Sequence, residues 1–351
     1  MSSLPEHAYR LEGISPKAYE HPADRAATAA LASIPHLDTV VRKISELGYE
    51  RALRTSMLGS SVKLGPDQLP DVHAEHRRAY ETLDMEPLPD LYLTQHPIAN
   101  ALTIGAGRPI VVVQSGLVGL LDASGLRAVF AHEAAHTLSD HNLYRTALVI
   151  MLRLSAGTRL PLGVLPVGAV LLEWSRAGEL TCDRAAALVT RDPESVCRVL
   201  MAVAAGSQAE RLNLDAFMRQ GMEYREGAKG LERLSRLLLD IGVTHPMPVR
   251  RIHELMSWVR SGEYDRIVAG DYRRRSEPVE PFAEAGDAVN HYAERFRGAF
   301  AEAGQSVAEA GQQLGEWLRR RARERVSGDE EPQEGSPHDG AADAHGAGAG
   351  D

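Results

Sequence analysis

Only two cysteines, Cys182 and Cys197, occur in 351 residues, too few for a disulfide framework, so the fold has to stand on its core alone. Positive charge is not in excess either. With 39 Lys and Arg against 48 Asp and Glu the net charge is −9, which argues against nucleic acid as a main partner. The first residues, MSSLPEHAYRLEG, lack the basic start and apolar run of a secretory signal, so no signal peptide is expected and the default location is cytoplasmic. Long apolar runs are missing as well. Ala147 to Met151 is ended by Arg153, and Leu160 to Leu172 contains Pro161 and Pro166, so neither reaches the roughly 20 residues a membrane span needs. A buried core helix or an interfacial hairpin over 147–172 is expected instead, leaving peripheral membrane contact open. What remains is ordinary globular composition, 44% hydrophobic and 25% charged, in a chain long enough for one large or two small domains.

The chain is organised around Ala131 to His141, AHEAAHTLSDH. His132 and His136 are four apart, so on a helix they project from one face, one turn above the other, with Glu133 beside them. Two neutral imidazoles at that spacing can take two corners of a tetrahedral zinc, while the adjacent carboxylate reaches a water at the metal without being a ligand. A third ligand is available in the helical pattern SRAGELTCDRAAALV, where Glu179 completes a two-histidine, one-carboxylate set and leaves a fourth position open. Asp183, one turn further on the same face, is placed to accept a hydrogen bond from a ligand histidine and fix its tautomer. Cys182, between them, is read as a small buried residue beneath the site.

HEAAH followed by the E-x-x-x-D-R segment Glu179 to Arg184 resembles the gluzincin metallopeptidases of the family that includes HtpX, Oma-type proteases and the CaaX prenyl proteases. Asn100-Ala101 ahead of Gly105, the strand Pro109 to Val113 leading into Ser115-Gly116-Leu117, and Thr244-His245-Pro246 followed by Arg251-Ile252 agree with it, so the resemblance covers about residues 85–260. Ala135 departs from it, where relatives commonly carry glycine. The resemblance implies a strand at Asn100 to Ile104 that binds substrate backbone by strand addition. It also implies a His-Pro segment at the cleft, in which His245 stabilises the oxyanion and Arg251 supports the loop or the substrate carbonyl.

Helical periodicity runs over Ala23 to Leu64, with segments at 26–31 and 37–47, then over 69–83, where His73 and His76 are expected to be solvated rather than a second metal site. Leu91 to Leu93 and Pro109 to Val113 read as strands of a small sheet. The active helix starts near Ser124, capped by Asp122 or Ser124. Further helices are expected at 173–190, 195–205, 212–217, 231–239 and 249–259. Apolar residues from Phe282 to Trp317 recur at helical spacing, a stripe suited to docking or self-association, and the tail from Ser327 lacks the apolar residues to fold.

The fold class is therefore mainly α with a small β-sheet (α+β), a zincin-like metallopeptidase domain with N-terminal helices and a C-terminal amphipathic extension. The expected divisions are an N-terminal helical region 1–84, a peptidase domain 85–264, an extension 265–326 and a disordered acidic tail 327–351. The expected activity is zinc-dependent endopeptidase chemistry on protein or peptide substrates, with one Zn2+ on His132, His136 and Glu179 and with Glu133 as general base. His245 and Arg251, with Asn100 on the substrate strand, complete the expected site. Two other readings stay open: a catalytically silent binding module, against which Glu133 speaks, and a membrane-associated quality-control protease.

Overall fold

The structure, a computed structural model, describes residues 9–32, 49–105, 107–146, 148–149, 165–226, 248–278 and 316. In chain order the elements are α1 (Pro22–Ala32), α2 (Tyr49–Ser60), β1 (Val62–Leu64), α3 (Pro70–Thr82), β2 (Asp90–Thr94), β3 (Ala101–Ile104), β4 (Ile110–Gln114), α4 (Ser115–Val118) and α5 (Ala123–Leu138). They continue with α6 (Leu165–Thr190), α7 (Pro193–Ala205), α8 (Leu214–Glu226), α9 (Pro248–Arg260) and α10 (Glu263–Val268). Mainly helical with one small sheet, this is the architecture the patterning predicts.

The sheet has the order β1-β2-β4-β3, with β2 and β4 parallel and both outer pairs antiparallel. β4, IVVVQ, is rich in β-branched residues and takes a central place, with Ile110, Val111 and Val113 buried. β3 is an edge strand: Thr103 pairs with Val111, and the opposite side of β3 faces α5.

α5 is the axis of the molecule. The Asp122 carboxylate accepts the Gly125 N–H at 2.7 Å and starts the helix, as a cap should. Phe130 is fully buried, a burial that stabilises by about 2–3 kcal/mol. Ala131, Ala134 and Ala135 are fully buried too, and such small side chains allow close helix approach on several faces at once. Ala135 therefore fits within the core at the position where a glycine was the familiar residue. α3 covers one side of α5 and α6 another, and one core cluster joins Leu11, Ile14 and Tyr19 of the N-terminal segment to α3, α5, α6, α7 and α9.

Three local expectations are corrected. Val62–Leu64 forms strand β1 rather than the end of a helix, because its backbone finds β2, Val62 opposite Leu93. His76 is buried, edge-on to Tyr80 and Phe130 at 4.9 and 5.3 Å, since α3 turns that face onto α5. α6 begins at Leu165, not at 173: Pro166 lies in its first turn, where a missing N–H breaks no intrahelical bond. No described helix is long and apolar enough to cross a membrane. The expected helices at 37–47 and 231–239, the Phe282 to Trp317 stripe (apart from Glu316) and the acidic tail lie outside the described residues.

Candidate active site

Helical periodicity stacks His132 and His136 on α5, and α6 crosses them with Glu179. His132 Nε2 lies 3.3 Å from Glu179 Oε2 and His136 Nε2 lies 3.3 Å from Glu179 Oε1. All three side chains are buried, with His132 keeping the most exposure at 8%. His136 Nε2 makes no hydrogen bond, although it is shielded from solvent. Two ligands each about 2.0–2.1 Å from a tetrahedral zinc stand about 3.3–3.4 Å apart, so these spacings and the bare nitrogen fit a metal between the three donors.

A second donor set competes with Glu179: a ring nitrogen of each histidine and Cys182 Sγ lie within 4.8 Å of one another. The carboxylate is the better third donor. It faces both imidazoles at 3.3 Å, whereas burial and then the nearby Glu179 charge push the Cys182 thiol up, away from the thiolate that binds metal.

His132 and Glu179 have further polar partners behind them. His132 Nδ1–H donates to Asp183 Oδ1 at 3.1 Å, and Arg251 clamps Asp183 from Nε at 2.7 Å and Nη2 at 2.5 Å. Arg251 Nη1 also lies 3.1 Å from Glu179 Oε2. Burial would lower the His132 pKa, but Glu179 and Asp183 outweigh it and raise it to about 9. His136 goes the other way, down to about 3, through burial and then the Arg145 charge. Without metal the site thus holds one imidazolium and one neutral imidazole.

Glu133 faces β3. The Thr103 N–H donates to its Oε2 at 2.7 Å and Arg145 Nη1 donates to the same oxygen at 3.2 Å. Burial would raise this carboxyl, yet Arg145 first and the histidines next bring it down to about 2. The carboxylate is therefore ionised and oriented at any working pH.

Among the expected residues, the fold brings His132, Glu133, His136, Glu179, Asp183 and Arg251 together. Asn100 stands just ahead of β3, half-buried, its carbonyl accepting the Gln114 N–H at 3.0 Å. His245 lies outside the described residues. Four neighbours were not foreseen from the sequence: Thr103, Arg145, His141 and Asp24. His141 carried a local signal. Asp140 adopts a left-handed φ of 57° after α5, the Asp140 N–H bonds Thr137 O, and the His141 N–H bonds His136 O at 2.9 Å, the double bond pattern that ends a helix and folds the chain back. That reversal lays His141 against His136 and carries Arg145 back to Glu133.

The family model described as Peptidase family M48 matches residues 66–259. The plastoglobule-localized metallopeptidase 48, chloroplastic, of Arabidopsis thaliana is 37% identical over 258 residues, covering 71% of this chain and 74% of its own length. A protease HtpX homolog of Acaryochloris marina (strain MBIC 11017) is 26% identical over 176 residues, covering 42% of this chain and 60% of its own. No solved structure matches the chain.

Proposed function

From the premise that the chain belongs to peptidase family M48 and is a metallopeptidase, a hydrolase of protein or peptide substrates, we propose that it is a zinc endopeptidase whose metal is held by His132, His136 and Glu179. One observation carries this reading: two imidazole nitrogens each 3.3 Å from a different oxygen of one buried carboxylate, one of those nitrogens without a hydrogen bond. Bound there, zinc would supply Lewis acidity toward a water and the scissile carbonyl.

The protein's own groups do the rest. Glu133 takes the proton of the attacking water on its carboxylate and returns it to the leaving amine, two transfers that share one oriented base. Thr103 and Arg145 hold that carboxylate in place. Asp183, clamped by Arg251, fixes His132 with its proton on Nδ1 and so leaves Nε2 for the metal. Its two carboxylate partners make Arg251 a support of the ligand set rather than a group for the substrate carbonyl. Asn100, just ahead of β3, keeps its proposed part in substrate binding, and His245 its proposed part in stabilising the oxyanion.

The test is metal content together with cleavage of casein or a quenched peptide, on wild type and Glu133→Gln. Zinc near one per chain in both, with cleavage reduced at least 10²-fold in the variant, is expected. Folded wild type that binds no zinc would sink the reading.

A further inference from the structure

His136 has a support of its own, and it comes from a part of the chain ahead of the residues that match the family. His136 Nδ1 lies 3.1 Å from His141 Nδ1, and His141 Nε2 lies 3.1 Å from Asp24 Oδ2 on α1. Asp24 is fully buried, and its carboxylate also accepts the Thr181 hydroxyl at 2.6 Å and the Thr28 hydroxyl at 3.4 Å. The Thr181 hydroxyl in turn accepts the His21 N–H at 3.0 Å, fastening the start of α1 to α6. Room for the His141 ring is made by Gly178, where a Cβ would stand 3.0 Å from its Cε1 and 3.1 Å from its Nδ1. Trp174 lies edge-on to the same ring at 5.2 Å and donates its indole N–H to Thr28.

Two imidazole nitrogens 3.1 Å apart form a hydrogen bond only if one carries a proton and the other does not. The direction is dictated from both ends. If His136 Nε2 faces the metal, its proton sits on Nδ1 and is donated to His141 Nδ1. His141 must then carry its own proton on Nε2, where the Asp24 carboxylate accepts it. Apart from His136 Nε2, which is left for the metal, every polar atom in the chain Asp24, His141, His136 has a partner under this single arrangement of protons.

We propose that Asp24 and His141 are positioning residues for the metal ligand His136, a relay that fixes its tautomer and makes helix α1 part of the metal centre. The proposal rests on the metal-site reading above. Asp183 serves His132 directly; the relay serves His136 through one intervening imidazole. The residues matched by the family model begin at 66, so the carboxylate at position 24 lies outside them, on helix α1.

The experiment is zinc affinity by chelator competition, together with the visible absorption of the cobalt-loaded protein, for wild type, Asp24→Asn, His141→Phe and the double variant. Loss of an outer hydrogen-bond partner typically weakens metal binding by about 10–100-fold. We expect that loss and an altered cobalt spectrum in both single variants, with the double variant no worse than His141→Phe, because a relay is broken only once. Losses that add in the double variant, or a folded Asp24→Asn with wild-type affinity and spectrum, would overturn the relay while leaving the metal site standing. Wild type that binds no zinc would overturn both. Should Asp24→Asn unfold, histidine nitrogen NMR of zinc-loaded wild type decides: a proton on His141 Nε2 is required, and one on Nδ1 refutes the proposal.

Discussion

Arg145 and Glu133 form an ion pair in the interior, Nη1 to Oε2 at 3.2 Å, with both side chains at most 5% exposed. The pair joins the helical stretch 142–146 to the residue next to His132, and the Thr103 N–H closes on the same oxygen. A buried base would ordinarily drift toward the neutral acid. Here the guanidinium prevents it.

Replacing Arg145 by Met removes the foremost influence that lowers the Glu133 carboxyl and lets burial act. In wild type this group sits near 2 and stays ionised throughout the working range, so it sets no acid limb above pH 4. In Arg145→Met its pKa rises, and the acid limb of kcat/KM moves to higher pH. Activity at pH 5 relative to pH 8 should fall several-fold more in the variant. An acid limb that does not move would contradict the assignment of Glu133 as base.

Zinc loading should release protons. In the metal-free protein His132 holds its proton up to about 9 while His136, near 3, holds none at neutral pH. Binding at pH 7.5 must displace the His132 proton from Nε2, giving release of about one proton and an affinity that rises with pH until about 9. Calorimetry in buffers of different ionisation enthalpy measures the count, and a value near zero would exclude His132 as a ligand.

Arg251 lies between two carboxylates, Asp183 and Glu179. Arg251→Met leaves both charges buried without it and should cost about 3–5 kcal/mol in urea denaturation of the chelator-treated protein. Arg251→Lys should recover only part of this, since one ammonium cannot reproduce the two-pronged contact with Asp183. Full recovery would show that charge alone matters.

Backbone closeness between α8 and α9 gives a prediction remote from the site. A Cβ on Gly221 would stand 2.8 Å from Val249 O, a backbone atom that cannot swing aside. Gly221→Ala should lower stability by about 1–3 kcal/mol. Gly59→Ala on α2, where nothing lies within 4 Å, should be neutral or stabilising by up to about 1 kcal/mol. Equal thermal midpoints for the two variants would refute the tight crossing.

The sequence alone determined what local rules govern. The placing of His132 and His136 on one face follows from helical pitch, Glu133 from adjacency, and the α5 start from a cap at Asp122 or Ser124, of which the fold uses Asp122. β2 and β4 followed from the short apolar runs Leu91 to Leu93 and Pro109 to Val113, and Glu179 and Asp183 from one shared helix face. β1 escaped because three residues carry no period and owe their conformation to β2. The partners of the site were decided by tertiary structure. Asp24 and His141 are 117 positions apart, Thr103 and Glu133 are 30, and no periodicity links such pairs. Buried charges have to be satisfied by whatever groups packing brings to them, so the donors could be read along the chain, while the groups that ionise, orient and hold them exist only once α1, α6 and β3 close on α5.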